Sequence, residues 1–352
     1  MIRLKPNAKI YVITPAFNTG GPKTLHQFAS KLSQYYQDVF IVYSHDGELE
    51  ERRNPIYDFP GLKVIDQIED DIKNIIIVPE TNTGILKKYK NIRPVIWWLS
   101  VDFYYNDVWT VAKRAVANHH LNEIFTPLAA VYIFLKNPKH FLRSSEKLTV
   151  NELKNIYHLY NCEYARQFLL KNGVPEAKMR YLCGPLENDF LKLSYEEIKR
   201  NKKDYIVYNP AKTDFVFLGK IQQRLHDQHY DFKFIPIVNM NRSQVFETLR
   251  GAKLYVDFGF FPGPERMPRE AAALYCNIIT SNKGSAANDI DVTIPRENKF
   301  SLSDKNIPEI CNRMVEMIKH YDDYVGQVDR YRKKVWEQID KFDENVRDIF
   351  DK

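Results

Sequence analysis

The chain is poor in cysteine, and its four cysteines follow no pattern. Cys162, Cys183, Cys276 and Cys311 are widely spaced in 352 residues. No Cys-x-x-Cys pair and no Cys/His ligand spacing occurs, which excludes zinc ribbons and thioredoxin-like redox chemistry and predicts buried free thiols in a reducing compartment. Long apolar runs are also missing. The longest, IFTPLAAVYIFL at 124–135, is shorter than the roughly 20 residues a spanning helix needs. The opening MIRLKPNAK has no apolar signal core, so a cytoplasmic location is expected, with the inner face of the cell membrane as a further option. Charge of one sign is scarce: the net charge is +6. That is too little for a dedicated nucleic-acid binder, and no nucleic-acid motif accompanies it. It does suit an anionic substrate or an anionic membrane surface.

What is present is ordinary globular material. Apolar residues make up 44% and charged residues 27%, enough for the two cores that the length suggests. KIYVITP (9–15) reads as a buried strand, AFNTGGPKT (16–24) as a glycine-bearing turn, and 25–36 as an amphipathic helix. Further strands are expected at 38–43, 62–66, 74–80, 93–102, 155–160 and 179–185, with helical segments near 81–90, 105–118 and 163–173. Strands alternating with helices indicate a parallel α/β sheet. Residues 119–150 join an apolar segment to a basic stretch (Lys136, Lys139, His140, Arg143, Lys147). Two readings stand: an excursion packed on the domain surface, or an interfacial element whose aromatic and basic side chains meet lipid headgroups. Ser194-Tyr-Glu-Glu197 has the form of a capping box.

The apolar-free run KRNKKD (199–204) suggests a domain boundary, and a second cycle follows: strand 205–210, helix 214–225, strand 232–237, helix 245–252. Then comes KLYVDFGFFPGPERMPREAAALYCNIITSNKGSAANDID (253–291), read as strand, Gly/Pro loop, helix, strand and polar loop. Pro268 suits a first helical turn, and Glu270 is expected to open the helix. A parallel β-α-β unit places its ligand outside the carboxyl ends of its strands, and a helix N-terminus there favours a phosphate. The expected divisions are 1–198, 199–322 and a final helix, 323–352, docking along its whole apolar stripe.

Two Rossmann-like halves, an early Gly-Gly loop and the late Glu270-Ala-Ala-Ala-Leu-Tyr-Cys-Asn-Ile-Ile-Thr-Ser together resemble the GT-B glycosyltransferases, in particular the group around glycosyltransferase family 4. The segments 19–22, 97–102, 208–212, 258–272 and 284–295 resemble a subset of bacterial surface-polysaccharide transferases. The family's earlier glutamate is not in register: eight residues before Glu270 stands Pro262, whereas Asp257 stands eight before Glu265.

The resemblance implies an α/β GT-B fold with two parallel sheets facing across a cleft. It also implies transfer of a sugar from a nucleotide-sugar donor to a glycan or lipid-linked acceptor; peripheral membrane contact is an expectation from the 119–150 segment and the net charge, which also speaks against nucleic acid. The nucleotide-sugar is a co-substrate; no separate cofactor or metal is expected. A leaving diphosphate gains charge, and cations and helix N-termini can stabilise it. Lys212, Arg266 and Arg269 are the candidate cations. Glu270 is placed against a ribose diol, and Asn239 against the base. The backbone at Gly284 and Ser285, and at Gly20 and Gly21, is placed against phosphate or acceptor. Asp102 is the candidate acid/base group, or else an N-cap for 105–118; Glu265 joins Arg266 as a candidate catalytic residue. His119, His120, Trp97 and Trp98 read as structural. A nucleotide-sugar epimerase and a non-enzymatic two-domain binding protein are the alternatives.

Overall fold

The computed structural model describes residues 2–16, 19–44, 59–105, 107–118, 121–136, 138, 147–190 and 193–351. His119, His120 and the basic residues Lys139, His140 and Arg143 lie outside them. The strands, in chain order, are β1 (Ile2–Arg3), β2 (Ile10–Thr14), β3 (Val39–Tyr43), β4 (Ile75–Pro79), β5 (Arg93–Trp98), β6 (Tyr157–Tyr160), β7 (Met179–Tyr181), β8 (Lys203–Tyr208), β9 (Lys233–Pro236), β10 (Ala252–Asp257), β11 (Asn277–Ser281), β12 (Lys299–Phe300) and β13 (Phe350–Asp351). The chain divides into two compact units, Met1–Gly184 with Phe342–Lys352, and Pro185–Lys341.

The first unit holds a six-stranded sheet in the order β3-β2-β4-β5-β6-β7, parallel throughout. Strands β2 and β4 are buried at every residue, as expected of a parallel sheet covered on both faces. Successive side chains point to opposite faces, so Trp97 joins the core with Phe28 and Leu159, and Trp98 the core with Tyr104 and Leu169. Both indoles are fully buried. Their N–H groups donate to the Leu182 carbonyl (3.0 Å) and to His158 Nδ1 (2.9 Å), which makes both tryptophans packing residues. The helix after β2 is Gly20–Ser33, starting five residues before the expected position because Gly20 and Gly21 form its first turn. The expected strand at 62–66 reduces to a single bridge between Ile41 and Val64.

The second unit holds a five-stranded parallel sheet, β12-β11-β10-β8-β9. Helices Phe215–Asp227 and Ile307–Lys319 bury their apolar stripes in one core. Helices Arg242–Gly251 and Arg266–Ala273 contribute to the other. Asp214 caps the first of these helices by accepting from the Val216 and Phe217 amides at 3.0 Å. The Ser194–Glu197 capping box is present and opens Tyr195–Lys199. Ile198 of that short helix packs into the second unit's core, so the charged run at 199–204 lies within this unit.

The C-terminal stripe is not one helix. It breaks into Tyr321–Val325, a 3-10 turn Gly326–Val328, Asp329–Trp336 and Gln338–Arg347. Its apolar residues divide between two cores: Val328, Tyr331 and Val335 in the second unit, and Phe342, Val346 and Ile349 in the first. Strand β13 then pairs parallel with β1. All four cysteines are buried, and none is in a disulfide among the described residues. Among the described residues no helix is long and apolar enough to cross a membrane.

Candidate functional site

In the second unit, three loops meet at the carboxyl ends of neighbouring strands: 209–213 after β8, 258–265 after β10, and 282–287 after β11. Glycine makes the approach possible. A Cβ on Gly259 would stand 2.5 Å from Lys212 Cβ, and one on Gly284 would stand 2.1 Å from the Phe261 carbonyl oxygen. Gly284 has φ +61°, ψ −135°, a conformation essentially confined to glycine. Hydrogen bonds lock the loops together. Ser285 donates its amide to the Phe261 carbonyl (2.8 Å) and its hydroxyl to the Gly263 carbonyl (2.7 Å), and the Ser281 hydroxyl donates to the Gly259 carbonyl. Phe261 is fully buried and anchors the middle of the 258–265 loop.

This edge carries dense charge. Asp257 ends β10 and is buried; its carboxylate accepts from the Gly259 amide (3.0 Å) and the Tyr255 hydroxyl (2.9 Å). Burial pushes its pKa up to about 6, against the pull of those donors and of Lys212. Lys212 forms an ion pair with Glu265. Helix Arg266–Ala273 starts four residues before Glu270, and Glu265 is its N-cap residue without a side-chain capping bond. The expected helix start at Glu270 is thus displaced to Arg266, and the added turn packs Met267 on the core and buries Pro268. Arg269 Nε donates to the Glu265 carbonyl (3.3 Å).

Glu270 is 2% exposed. Its Oε1 accepts from Arg242 Nη1 (2.7 Å) and Arg266 Nε (3.2 Å). Both arginines also pair with Glu187, Arg266 at 3.5 Å. The Arg242 guanidinium lies 4.0 Å from the Phe190 ring centroid, within cation–π range. Burial, with Arg242 and Arg269 nearby, lowers the Arg266 pKa although Glu270 opposes this. Glu187 and Arg242 do not stand out in the sequence. Arg242 could have been found, since it follows the helix-capping Asn241 at the same strand-end edge; Glu187 has no local signal. Asn239 has φ +53° beyond β9, a left-handed conformation that asparagine tolerates. The chain contains one Asp-x-Asp, Asp289-Ile-Asp291, a spacing that can hold a metal. In the structure Asp289 pairs with Arg296 (2.6 Å) and Lys299 (3.1 Å), and Asp291 accepts from Asn288 (2.9 Å).

The carboxyl edge of the first unit is built differently. Gly20 and Gly21 open the helix after β2, where the N-cap residue Thr19 makes no side-chain cap. A Cβ on Gly21 would meet only Leu99 Cδ1 at 3.7 Å, an ordinary contact, so packing does not demand this glycine. Asp102 lies half-buried on the short helix Val101–Tyr104. It does not cap the next helix, Val108–Asn118; Asp107 does, accepting from the Thr110 amide (2.9 Å) and hydroxyl (2.6 Å). Between these features lies Glu80, directly after β4, 2% exposed and accepting from the Leu99 amide at 2.9 Å. Burial raises its pKa to about 7, partly offset by backbone donors and by the Lys147 charge. Glu80, an acid directly after the apolar strand β4, stands at the same carboxyl edge as Asp102 and is legible from the same pattern. Among the described residues no group of three or more His, Cys, Asp or Glu is arranged to hold a metal ion.

No family model and no curated protein matches the chain. Solved structures do. HepE of Anabaena in complex with UDP-glucose aligns over 97% of this chain and 98% of its own, with 12% identity and a TM-score of 0.56. Sucrose-phosphate synthase of Thermosynechococcus elongatus aligns over 97% and 98%, with 11% identity and a TM-score of 0.59. The lipopolysaccharide outer core galactosyltransferase WaaB aligns over 95% and 98%, with 12% identity and a TM-score of 0.55. The two parallel-sheet units, in this connectivity, have the α/β architecture of GT-B glycosyltransferase structures.

Proposed function

We propose that the chain is a nucleotide-sugar glycosyltransferase whose donor binds the carboxyl edge of the second unit. The observation that carries this reading is the meeting, at one strand-end edge, of Lys212, Arg266, Arg269 and the pinned Gly284–Ser285 backbone within a GT-B fold. HepE, which shares that fold, is a complex with UDP-glucose. In the proposed reaction an acceptor hydroxyl oxygen bonds to the sugar's anomeric carbon as the bond to the diphosphate oxygen breaks. Lys212 and Arg266 face the charge that develops on the leaving diphosphate, and Arg269 supports the same helix end. Glu270 holds Arg242 and Arg266 in place; a ribose contact would draw on the same carboxylate. Asn239 lies toward the base. Asp102, with Gly20 and Gly21, forms the acceptor side, Asp102 taking the hydroxyl proton. The acceptor is assigned as a growing surface polysaccharide or lipid-linked glycan, in keeping with the segment resemblance and with WaaB among the similar folds. Transfer is assigned as metal-independent.

The test is thermal unfolding with UDP-, GDP-, CMP- and dTDP-sugars, UDP-glucose first. A true donor at a hundredfold excess over its Kd stabilises by about 2.7 kcal/mol, and Lys212→Ala should remove most of that shift. If no nucleotide-sugar stabilises the protein, the donor site is wrong. Turnover that disappears in chelator and returns with a divalent cation would overturn the metal-independent assignment.

A further inference from the structure

Sixteen large hydrophobic side chains are exposed among the described residues, and ten of them lie between Phe103 and Leu135. Helix Thr126–Lys136 is apolar on the side that a surface helix normally keeps polar. Leu128, Val131, Tyr132 and Leu135 follow i, i+3, i+4, i+7 spacing and face solvent, at 69%, 58%, 65% and 72% exposure, while Thr126 and Ala130 are buried. Ile124 and Phe125, in the 3-10 turn just before it, extend the exposed apolar surface. The helix packs against Val108–Asn118. On each of these two helices an exposed aromatic residue precedes an exposed lysine by one turn, Trp109 before Lys113 and Tyr132 before Lys136. The sequence from 108 to 147 has six Lys/Arg and two Glu, and so carries four of the chain's six net positive charges.

We infer that this face of the first unit docks on an anionic lipid bilayer. The leucines, Ile124 and Phe125 enter the acyl boundary. Trp109 and Tyr132, apolar with a polar tip, take the headgroup level, and the lysines extend to lipid phosphates. Charge favours lipid over a second copy of the chain, because the sequence 108–147 is net positive and a self-complementary contact would bring two sets of the exposed Lys113 and Lys136 together. The inference rests on the surface and is independent of the donor site, but it bears on the proposed reaction by bringing the first unit to a lipid-linked acceptor.

The test is flotation of the full chain with phosphatidylcholine vesicles, with and without phosphatidylglycerol, at low and high salt. Binding is expected to the anionic vesicles, weaker at high salt, with a blue shift of Trp109 emission that is absent in Trp109→Phe. Leu128→Ser and Leu135→Ser should each weaken binding about tenfold, Lys136→Glu should weaken it selectively at low salt, and Ile72→Ser, a change at an exposed apolar residue elsewhere, should leave it unchanged. Thermal unfolding and the UDP-glucose shift, measured on the same samples, verify folding. They also keep a failed donor site distinct from a failed surface. No binding to either vesicle overturns the inference. So does binding indifferent to Leu128→Ser and Leu135→Ser, or a dimer in light scattering that those changes abolish.

Discussion

Replacing Glu80 by glutamine should make the first unit more stable, and only above a definable pH. In the fold, the Glu80 carboxyl has a pKa of about 7 in place of 4.5, because burial penalises the anion more than the Leu99 amide and the Lys147 charge favour it. Between those pH values the folded chain binds more protons at this residue than the unfolded chain. The residue's contribution to stability is therefore greatest below pH 4.5 and is lost as pH rises through 7. The gap corresponds to about 3 kcal/mol. Glutamine does not ionise, and its Oε1 can still accept from the Leu99 amide, now at 2.9 Å from Glu80 Oε2. The variant should match the parent near pH 4.5 and exceed it by about 3 kcal/mol at pH 8. Urea unfolding read by tryptophan fluorescence suits the measurement: Trp97, Trp98 and Trp109 lie in the first unit, and Trp336 in the second. Titrations shared by parent and variant cancel. A difference that is the same at pH 4.5 and pH 8, or a parent that gains on the variant as pH rises, would refute the claim that burial keeps this carboxyl protonated.

Gly284→Ala should lower the melting temperature, since a non-glycine residue at this φ and ψ costs about 1–3 kcal/mol before the Phe261 carbonyl moves aside; an unchanged melting curve would show that the two loops are not pinned there. Glu270→Ala should cost about 2–3 kcal/mol, below the full penalty for breaking a buried pair because its arginine partners are partly exposed, and should weaken UDP-sugar binding in titration. Glu270→Ala with donor affinity intact would remove the glutamate from the proposed site.

Strands were legible because their burial is continuous. IYVIT and IIIVP are apolar or β-branched throughout, NIITS is so at its centre, and all three bury every residue. Helix starts were less so. Gly20–Ser33 opens on Gly-Gly-Pro and Arg266–Ala273 on Arg-Met-Pro-Arg, whose glycines, prolines and charges read as loop, and a hydrophobic period, the main sequence signal, is plain only later. The domain boundary misled for a similar reason: the run at 199–204 is conspicuous, but Ile198 just before it fills the second core. The strand-end rule puts Lys212, Glu265, Gly284 and Asp102 beyond the carboxyl ends of strands, and the structure has them after β8, β10, β11 and β5. It could not show that Arg242 and Arg266 converge on Glu187 and Glu270, because those pairs form only when separate loops meet.

That convergence changes what a donor would face. Each cation with a proposed diphosphate role now has a carboxylate nearby: Glu265 on Lys212, and Glu270 with Glu187 on Arg266. These pairs are unequal. Glu270 is almost fully buried and held by two guanidiniums, so separating it from them is costly. The Lys212–Glu265 pair keeps 28% and 21% of its side chains exposed, and pairs of that kind contribute little net stability. A diphosphate brings more negative charge than one carboxylate, so in the proposed site it would displace Glu265 from Lys212 at small cost, while Glu270 keeps its two partly exposed arginines in place. On this reasoning Glu265 is the movable partner and Glu270 the rigid one.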